Sequence, residues 1–373
     1  MRDCSDFTMA DLKYIGSLFN IEGEYIGYEV IKSGNINQTY LVKYFRDDEE
    51  KQYIIQKVNT YVFKNPIQVM ENICGVTEHI RTKIKEEGRS AKREVLHYLY
   101  AADGNNYAYD EEGGFWRGYR FVDDSIAYDT TDDPFVLEQS GRGFGAFQKY
   151  LADFDASKLF ESIPDFHNTR KRLERLFEMA EKDPLDRVKD VKEELDYLRE
   201  HYELSCTFCT LLDEGKLPLR VTHNDTKCNN VVYDKDTNEA LAVIDLDTVM
   251  PGLCAYDFGD AIRFGANNTM EDDPDYSKIF LDMNKYEAFV RGFIGTIKNT
   301  LTPLEIETMH LGAYVMTAEL VARFMLDYIE GDVYFKINYP EHNLVRTKAQ
   351  ATLARDMESK LDEMKSIVLK YAK

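Results

Sequence analysis

Residues 221–247 read VTHNDTKCNNVVYDKDTNEALAVIDLD. Two short apolar runs, Val231–Tyr233 and Leu241–Leu246, flank the polar segment Asp234–Glu239. Apolar run, turn formers, apolar run is the pattern of a β-hairpin. A turn centred near Thr237–Asn238 sets residue 230 opposite residue 245. Asn230 and Asp245 are then expected to face each other at the open end, with Asp225 just before it on the loop. Paired oxygen-bearing side chains suit Mg2+, a hard cation that keeps several waters and takes few protein ligands. A carboxylate one loop away can accept the proton of a hydroxyl.

A surface hairpin with Asp and Asn as turn formers accounts for Asp234, Asp236 and Asn238. It does not account for Asp245, which interrupts an apolar strand at its C-terminal end. The spacing H-x-D-x-x-x-x-N, then a hairpin, then Asp, is that of kinases, which carry base, metal Asn and metal Asp in this order. Asp225 is therefore the candidate base. Asn230 and Asp245 are the candidate metal ligands, and His223 supports the loop.

The run His223-Asn-Asp-Thr-Lys-Cys-Asn-Asn230 with Ile244-Asp-Leu-Asp247 resembles the aminoglycoside phosphotransferase family. That resemblance implies a protein-kinase-like, two-lobed α+β fold and phosphorylation of a small molecule. The continuation DLDTVMPGLCAYDFGDAIRF, Asp245–Phe264, is similar to the N-acetylhexosamine 1-kinases within that family. These transfer a phosphoryl group from ATP to the anomeric hydroxyl of N-acetylglucosamine or N-acetylgalactosamine. Pieces of the match recur from about residue 30 to residue 336. The resemblance implies sugar contacts from Asp225, Asp245, Thr248, Phe264, Arg323 and Tyr334. It also implies that Asp257 braces the catalytic loop by hydrogen bonds. The Asp257-Phe-Gly triplet lies too far past the hairpin to be the metal motif, a place Asp245 already fills.

The chain has 373 residues, enough for two or three lobes, and 44% hydrophobic residues, the composition of a globular protein. No apolar run approaches a membrane span, and the start MRDCSDFTMADLKYIGSLF lacks a signal-peptide pattern, so a cytoplasmic location is expected. The net charge of −21 leaves no basic footprint for nucleic acid. The same charge opposes anions, so a nucleotide site needs Mg2+ and local Lys or Arg to reverse the potential. Six dispersed cysteines without a secretion signal argue against a disulfide framework. The lone Cys206-x-x-Cys209 has no second ligand pair for zinc, so its cysteines read as small buried apolar residues.

Residues 5–20 predict a short helix, followed by strands at Tyr25–Ile31, Thr39–Phe45 and Gln52–Val58. Between the first two strands, Gly34 lies in Lys-Ser-Gly-Asn-Ile-Asn-Gln-Thr. This segment is either an ordinary tight turn or a loop whose amides cover phosphates. Lys57 on the third strand takes the position of the kinase strand lysine that grips phosphates. Pro66 opens a helix with Val69, Ile73, Val76, Ile80 and Ile84 on one face. Glu71, or Glu78, is placed to pair with Lys57. Further strands are expected at Glu94–Tyr100 and Trp116–Val122, with a hinge near 121–126 whose backbone receives adenine. The division is then 1–122, a nucleotide-binding lobe, and 123–373, a helical lobe.

The remainder reads as helical. Gly141, Gly143 and Gly145 follow no strand, so they mark close helix packing rather than a phosphate loop. Residues 168–202 form solvated amphipathic helices. Spacing does not decide whether Phe166-His167-Asn168 is structural or lies beside a substrate. A helix Ile306–Gly331 spaces Glu319, Arg323 and Asp327 as a charge ladder. One more helix is expected over 347–371. The expected chemistry is ATP plus sugar to ADP plus sugar 1-phosphate, with Lys57 and Lys227 steadying phosphates and no obligate protein partner. Other alcohols (choline, homoserine, methylthioribose, an aminoglycoside) remain rivals for the acceptor, and a non-catalytic nucleotide-binding protein is the rival from another class.

Overall fold

The computed structural model describes residues 7–32 and 36–373. Thr8 caps the first helix, α1 (Met9–Ser17), in a reciprocal box with Asp11. Strands β1 (Glu24–Ile31), β2 (Gln38–Arg46) and β3 (Glu49–Lys57) pair antiparallel in sequence. Helix α2 (Pro66–Glu86) starts on its proline and buries Val69, Ile73, Val76, Ile80 and Ile84. Strands β4 (Ala108–Tyr109) and β5 (Phe115–Arg120) complete a sheet of order β1-β2-β3-β5-β4.

The side-chain alternation of β3 assigns the two faces of this sheet. Tyr53 and Ile55 pack with Phe7, Leu12, Tyr40 and Trp116 beneath α1. Ile54 and Val58 join Val69, Ile73 and Ile80 of α2 in the main core. The strand expected at Glu94–Tyr100 does not form. That segment meets β5 in an isolated bridge at Tyr98–Tyr119, through Leu99 N–H to Gly118 O (2.8 Å) and Arg120 N–H to His97 O (2.9 Å). It shares one edge of β5 with β4, which already pairs with Phe115 and Trp116, so neither has room to run long.

After β5 come β6 (Ser125–Ile126), α3 (Pro134–Tyr150) and α4 (Thr169–Lys182). Helices α5 (Lys192–Glu200), α6 (Tyr202–Ser205) and α7 (Thr207–Asp213) follow, then β7 (Arg220–Thr222), β8 (Val231–Asp234), β9 (Ala240–Val243) and β10 (Met250–Gly252). The chain ends in α8 (Cys254–Gly265), α9 (Met283–Ile297), α10 (Pro303–Thr308), α11 (Leu311–Glu330), α12 (His342–Ser359) and α13 (Leu361–Ala372). An antiparallel N-terminal sheet on a helical C-terminal region is the protein-kinase-like arrangement. β6 pairs with β8, so the chain enters the second region directly at its hairpin.

Two expected helices are each divided. Residues 306–331 split at Met309–His310 into α10 and α11. Gly312, in the first turn of α11, lies flush on Gly259 of α8; a Cβ on either would overlap the other helix's backbone. The tail splits at Lys360, whose ammonium turns aside to the Leu281 carbonyl (3.0 Å). Gly141 of α3 and Gly292 of α9 make a second close helix contact, as the glycine-rich run predicts. No helix among the described residues is long and apolar enough to cross a membrane.

Candidate active site

The hairpin β8–β9 forms, but its register differs from expectation by one residue. A bulge between Val232 and Tyr233 pairs Val231 with Val243, and Ile244 N–H donates to Asn230 O (2.9 Å). Asn230 thus faces Ile244, not Asp245. Asp245 instead adopts left-handed backbone (φ 57°), a conformation Asp tolerates better than most residues. The chain turns there, and Asp245 leaves the strand for the cleft.

The catalytic loop is braced from below. Asp257, fully buried on α8, accepts the N–H groups of His223 (2.9 Å) and Asn224 (2.8 Å) and the Gln148 amide (2.6 Å). Asp260, one turn on, accepts Thr226 N–H (2.9 Å). Asn224 is also left-handed (φ 64°), and its amide donates to Thr248 O (2.8 Å). His223 Nε2 donates to Ile244 O (2.9 Å), while its Nδ1 accepts Asp225 N–H (3.3 Å). The loop carrying Asp225 and the turn carrying Asp245 are thereby tied together by side-chain bonds from the loop to carbonyls of the turn.

Asn230 directs its amide nitrogen to Asp225, at 2.8 Å from the carbonyl and 3.2 Å from the carboxylate. That leaves the amide oxygen turned away. The Asp225 carboxylate also meets Lys227 (3.0 Å), which raises the Lys227 ammonium above its ordinary value despite burial. Asp245 makes no hydrogen bond or ion pair among the described residues. Its residue is exposed to solvent, while the protein packed around it desolvates the carboxylate. Burial, then Asp247 and Asp225, push its carboxyl up to about 7. An unpartnered carboxylate crowded by others, one residue along from the Ile244–Asn230 pair, gives with the Asn230 amide a donor set that fits a hard divalent cation.

Lys57 is not where the kinase comparison expects it. It shares the β3 face of Tyr53 and Ile55, with its ammonium 3.5 Å from Asp110 and over the rings of Phe7 (5.3 Å) and Trp116 (5.5 Å). Glu71 is exposed on α2, Glu78 pairs with Arg81, and neither meets Lys57. The opposite face carries Gln56, whose amide oxygen accepts from Arg117 Nε (2.9 Å). Arg117, 1% exposed, also bonds Asp247, two residues past Asp245. Burial works against its charge, but Asp247 outweighs it and keeps the guanidinium ionised. Asn37 Nδ2 donates to the other oxygen of Asp247 (2.5 Å), which attaches the segment after β1 to the same carboxylate. Gly34 lies outside the described residues.

The residues assigned to the acceptor fall into two groups. Thr248 is buried and faces inward, its hydroxyl donating to His223 O (2.7 Å), so it braces the loop instead of reaching out. Phe264 is half-buried on α8. Arg323 lies over Phe166 and Phe335, 5.5 Å from each ring. Tyr334 is exposed and packs on Phe335 (4.8 Å). Asp327 sets this loop by accepting the N–H groups of Val333, Tyr334 and Phe335 at 2.7–2.9 Å. The expected charge ladder is therefore absent: Asp327 serves the loop, and Glu319 turns to His167 and Thr169. A cavity of about 380 Å³ opens between α2, α3 and β9, but neither Asp225 nor Asp245 lines it.

The model of a family described as the phosphotransferase enzyme family matches residues 27–293. The chain belongs to that family. Among solved structures, an aminoglycoside phosphotransferase from Alicyclobacillus acidocaldarius is similar, with a TM-score of 0.57 at 11% identity over 96% of each chain. Spectinomycin phosphotransferase in complex with ADP and spectinomycin gives 0.54 at 12% identity, over 96% of this chain and 99% of that one. Choline kinase from Cryptosporidium parvum gives 0.54 at 14% identity over 95% of each. At such identities these likenesses establish the fold, and the phosphotransferase family establishes the class of reaction.

Proposed function

We propose that this phosphotransferase uses ATP to phosphorylate the anomeric hydroxyl of an N-acetylhexosamine, giving ADP and the sugar 1-phosphate. The observation that carries the chemistry is the convergence of Asp225, Asn230 and Asp245 at one end of the hairpin. Asp225 accepts the proton of the sugar hydroxyl as its oxygen attacks the γ-phosphorus. The bond from that phosphorus to the β,γ-bridging oxygen breaks, and ADP departs. Lys227 holds Asp225 in place and offers positive charge beside the transferred group. Asn230 and Asp245 would hold Mg2+, which neutralises phosphate charge when bound. His223 and Asp257 keep the loop rigid, so that positioning supplies much of the acceleration. The nucleotide sits between the sheet lobe, 1–122, and the helical lobe, 123–373, across the 121–126 crossing.

For the acceptor, the resemblance of Asp245–Phe264 and Arg323–Phe335 to the hexosamine kinases is supported by local charge. Arg172 and Arg323 stand near Glu319, and burial and Arg323 together lower the Arg172 guanidinium. A cationic acceptor such as choline or an aminoglycoside would meet two arginines there; an uncharged polyol would find donors. The test is ADP release with Mg·ATP across sugars, choline and aminoglycosides, followed by phosphorus NMR of the product. An anomeric phosphate from N-acetylhexosamines is expected. Turnover restricted to choline or an aminoglycoside contradicts the sugar assignment, and nucleotide binding without turnover of any acceptor contradicts catalysis.

A further inference from the structure

Glu319 is fully buried on α11. It accepts hydrogen bonds from His167 Nδ1 (3.0 Å) and Thr169 Oγ1 (2.7 Å), and Arg172 Nε lies 3.8 Å away. Burial pushes the Glu319 carboxyl up, but His167 and the two arginines outweigh it and hold it below the usual value. An ionised carboxylate accepts only, so Nδ1 of the His167 ring carries a proton, and in the neutral imidazole Nε2 then presents a lone pair. The His167 side chain is 6% exposed, and Nε2 is buried with no hydrogen-bond partner among the described residues. A buried imidazole with one nitrogen fixed and the other unpaired is uncommon in a folded chain.

Its surroundings connect it to the acceptor side of the catalytic loop. The ring contacts Phe166 (4.5 Å) and Tyr256 (5.3 Å). Phe166 in turn lies under Arg323. Also near the ring is Asp260, which bonds the N–H of Thr226, next to Asp225. Burial pushes Asp260 up, but Arg263 and Lys227 hold it below its ordinary value, with His167 close enough to contribute. The imidazole therefore stands between the loop that carries the base and the Arg323–Phe335 wall.

We propose that His167, oriented by Glu319, accepts a hydrogen bond through Nε2 from a hydroxyl or amide N–H of the acceptor molecule. It is a specificity-determining residue, with Glu319 and Thr169 as its positioning partners. This rests on the assignment of an uncharged, polyhydroxylated acceptor.

The experiment uses the full chain. The panel above first identifies an acceptor that wild type phosphorylates; if no compound turns over, both assignments fall. If choline alone turns over, the sugar assignment falls and His167 is tested on choline, where unchanged kinetics overturn its role too. His167→Asn keeps an amide donor for Glu319 but removes the distal nitrogen. Its KM for the acceptor is expected to rise about tenfold or more, with KM for ATP unchanged and kcat within about threefold. With singly deoxygenated and de-N-acetylated acceptors, one analogue should bind poorly to wild type and equally poorly to the variant. His167→Gln, which carries an amide to the distal position, should recover part of the loss. A variant that melts lower while its acceptor KM stays at the wild-type value gives His167 a structural role only and overturns the proposal. So does an equal loss for every analogue.

Discussion

The buried Arg117 guanidinium grips Asp247, joining the N-terminal sheet to the turn that carries Asp245. The kinase position on β3 faces the other way, and the charge on the cleft side of the sheet comes from the next strand over. Gln56 and Asn37 bind the same pair, so four residues from four segments share one network. Removing one partner strands a buried charge. Arg117→Met is expected to lower stability by about 3–5 kcal/mol in urea unfolding, and Arg117→Met with Asp247→Leu should recover a large part. A double variant no more stable than the single one would contradict the pairing.

Lys57 supports a contrasting prediction. Its partners are Asp110, Phe7 and Trp116, all on the α1 face. Lys57→Met should leave KM for ATP within about twofold of wild type and cost roughly 1 kcal/mol of stability. A large rise in KM for ATP, measured with the acceptor saturating, would restore the phosphate-gripping role that strand order suggests.

Much of the fold was legible because the hairpin motif carries both period and chemistry. Val231–Tyr233 and Leu241–Leu246 announce two strands, and Asp245 is conspicuous as a charge at the end of one. The face of Lys57 was not legible, since strand alternation says which residues share a face but not which face meets the cleft. The one-residue bulge at Val232/Tyr233 has no glycine or proline to betray it. Arg117 and Asp247 left faint signals: an Arg inside the apolar run Phe115–Tyr119, and the second acid of Ile-Asp-Leu-Asp. Their pairing spans 130 residues and needs the assembled sheet. Glu319 looked like part of a ladder because helical spacing cannot show that the start of α4 and the residues before it offer Thr169 and His167 to the same carboxylate.

Asp225→Asn removes the proton acceptor but keeps an amide where Asn230 and Lys227 expect a polar group. Turnover should fall by about 10²–10⁴-fold with nucleotide affinity nearly unchanged. Affinity is read by calorimetric titration with a non-hydrolysable ATP analogue, turnover by ADP release. Near-wild-type turnover would exclude Asp225 as the base.

Asp257 supports the loop without meeting the reactants. It accepts two backbone N–H groups and the Gln148 amide, which occupies both carboxylate oxygens. Asp257→Asn exchanges one acceptor for a donor that faces a donor. The loop should shift, lowering kcat by about 10–100-fold while KM for ATP holds. Melting should drop as well, by an amount equivalent to roughly 1–3 kcal/mol. Loss of stability with unchanged kcat would separate the brace from the chemistry.

His310 makes the fold sensitive to mild acid. It sits at the start of α11, 7% exposed, with Nδ1 unpartnered among the described residues. Burial, aided by Lys365, pushes its pKa down to about 4. In the unfolded chain the imidazole titrates near its ordinary value, roughly 6.5. Between those values the unfolded chain binds the proton and the native one does not, so stability falls as pH drops through that window. The full effect is roughly 3 kcal/mol, taking about 1.4 kcal/mol for each pH unit between the two pKa values. His310→Gln removes the titration and should flatten the curve. Urea midpoints at pH 7, 5.5 and 4.5 for wild type and variant provide the check; parallel curves would mean that His310 accepts a proton inside the native fold.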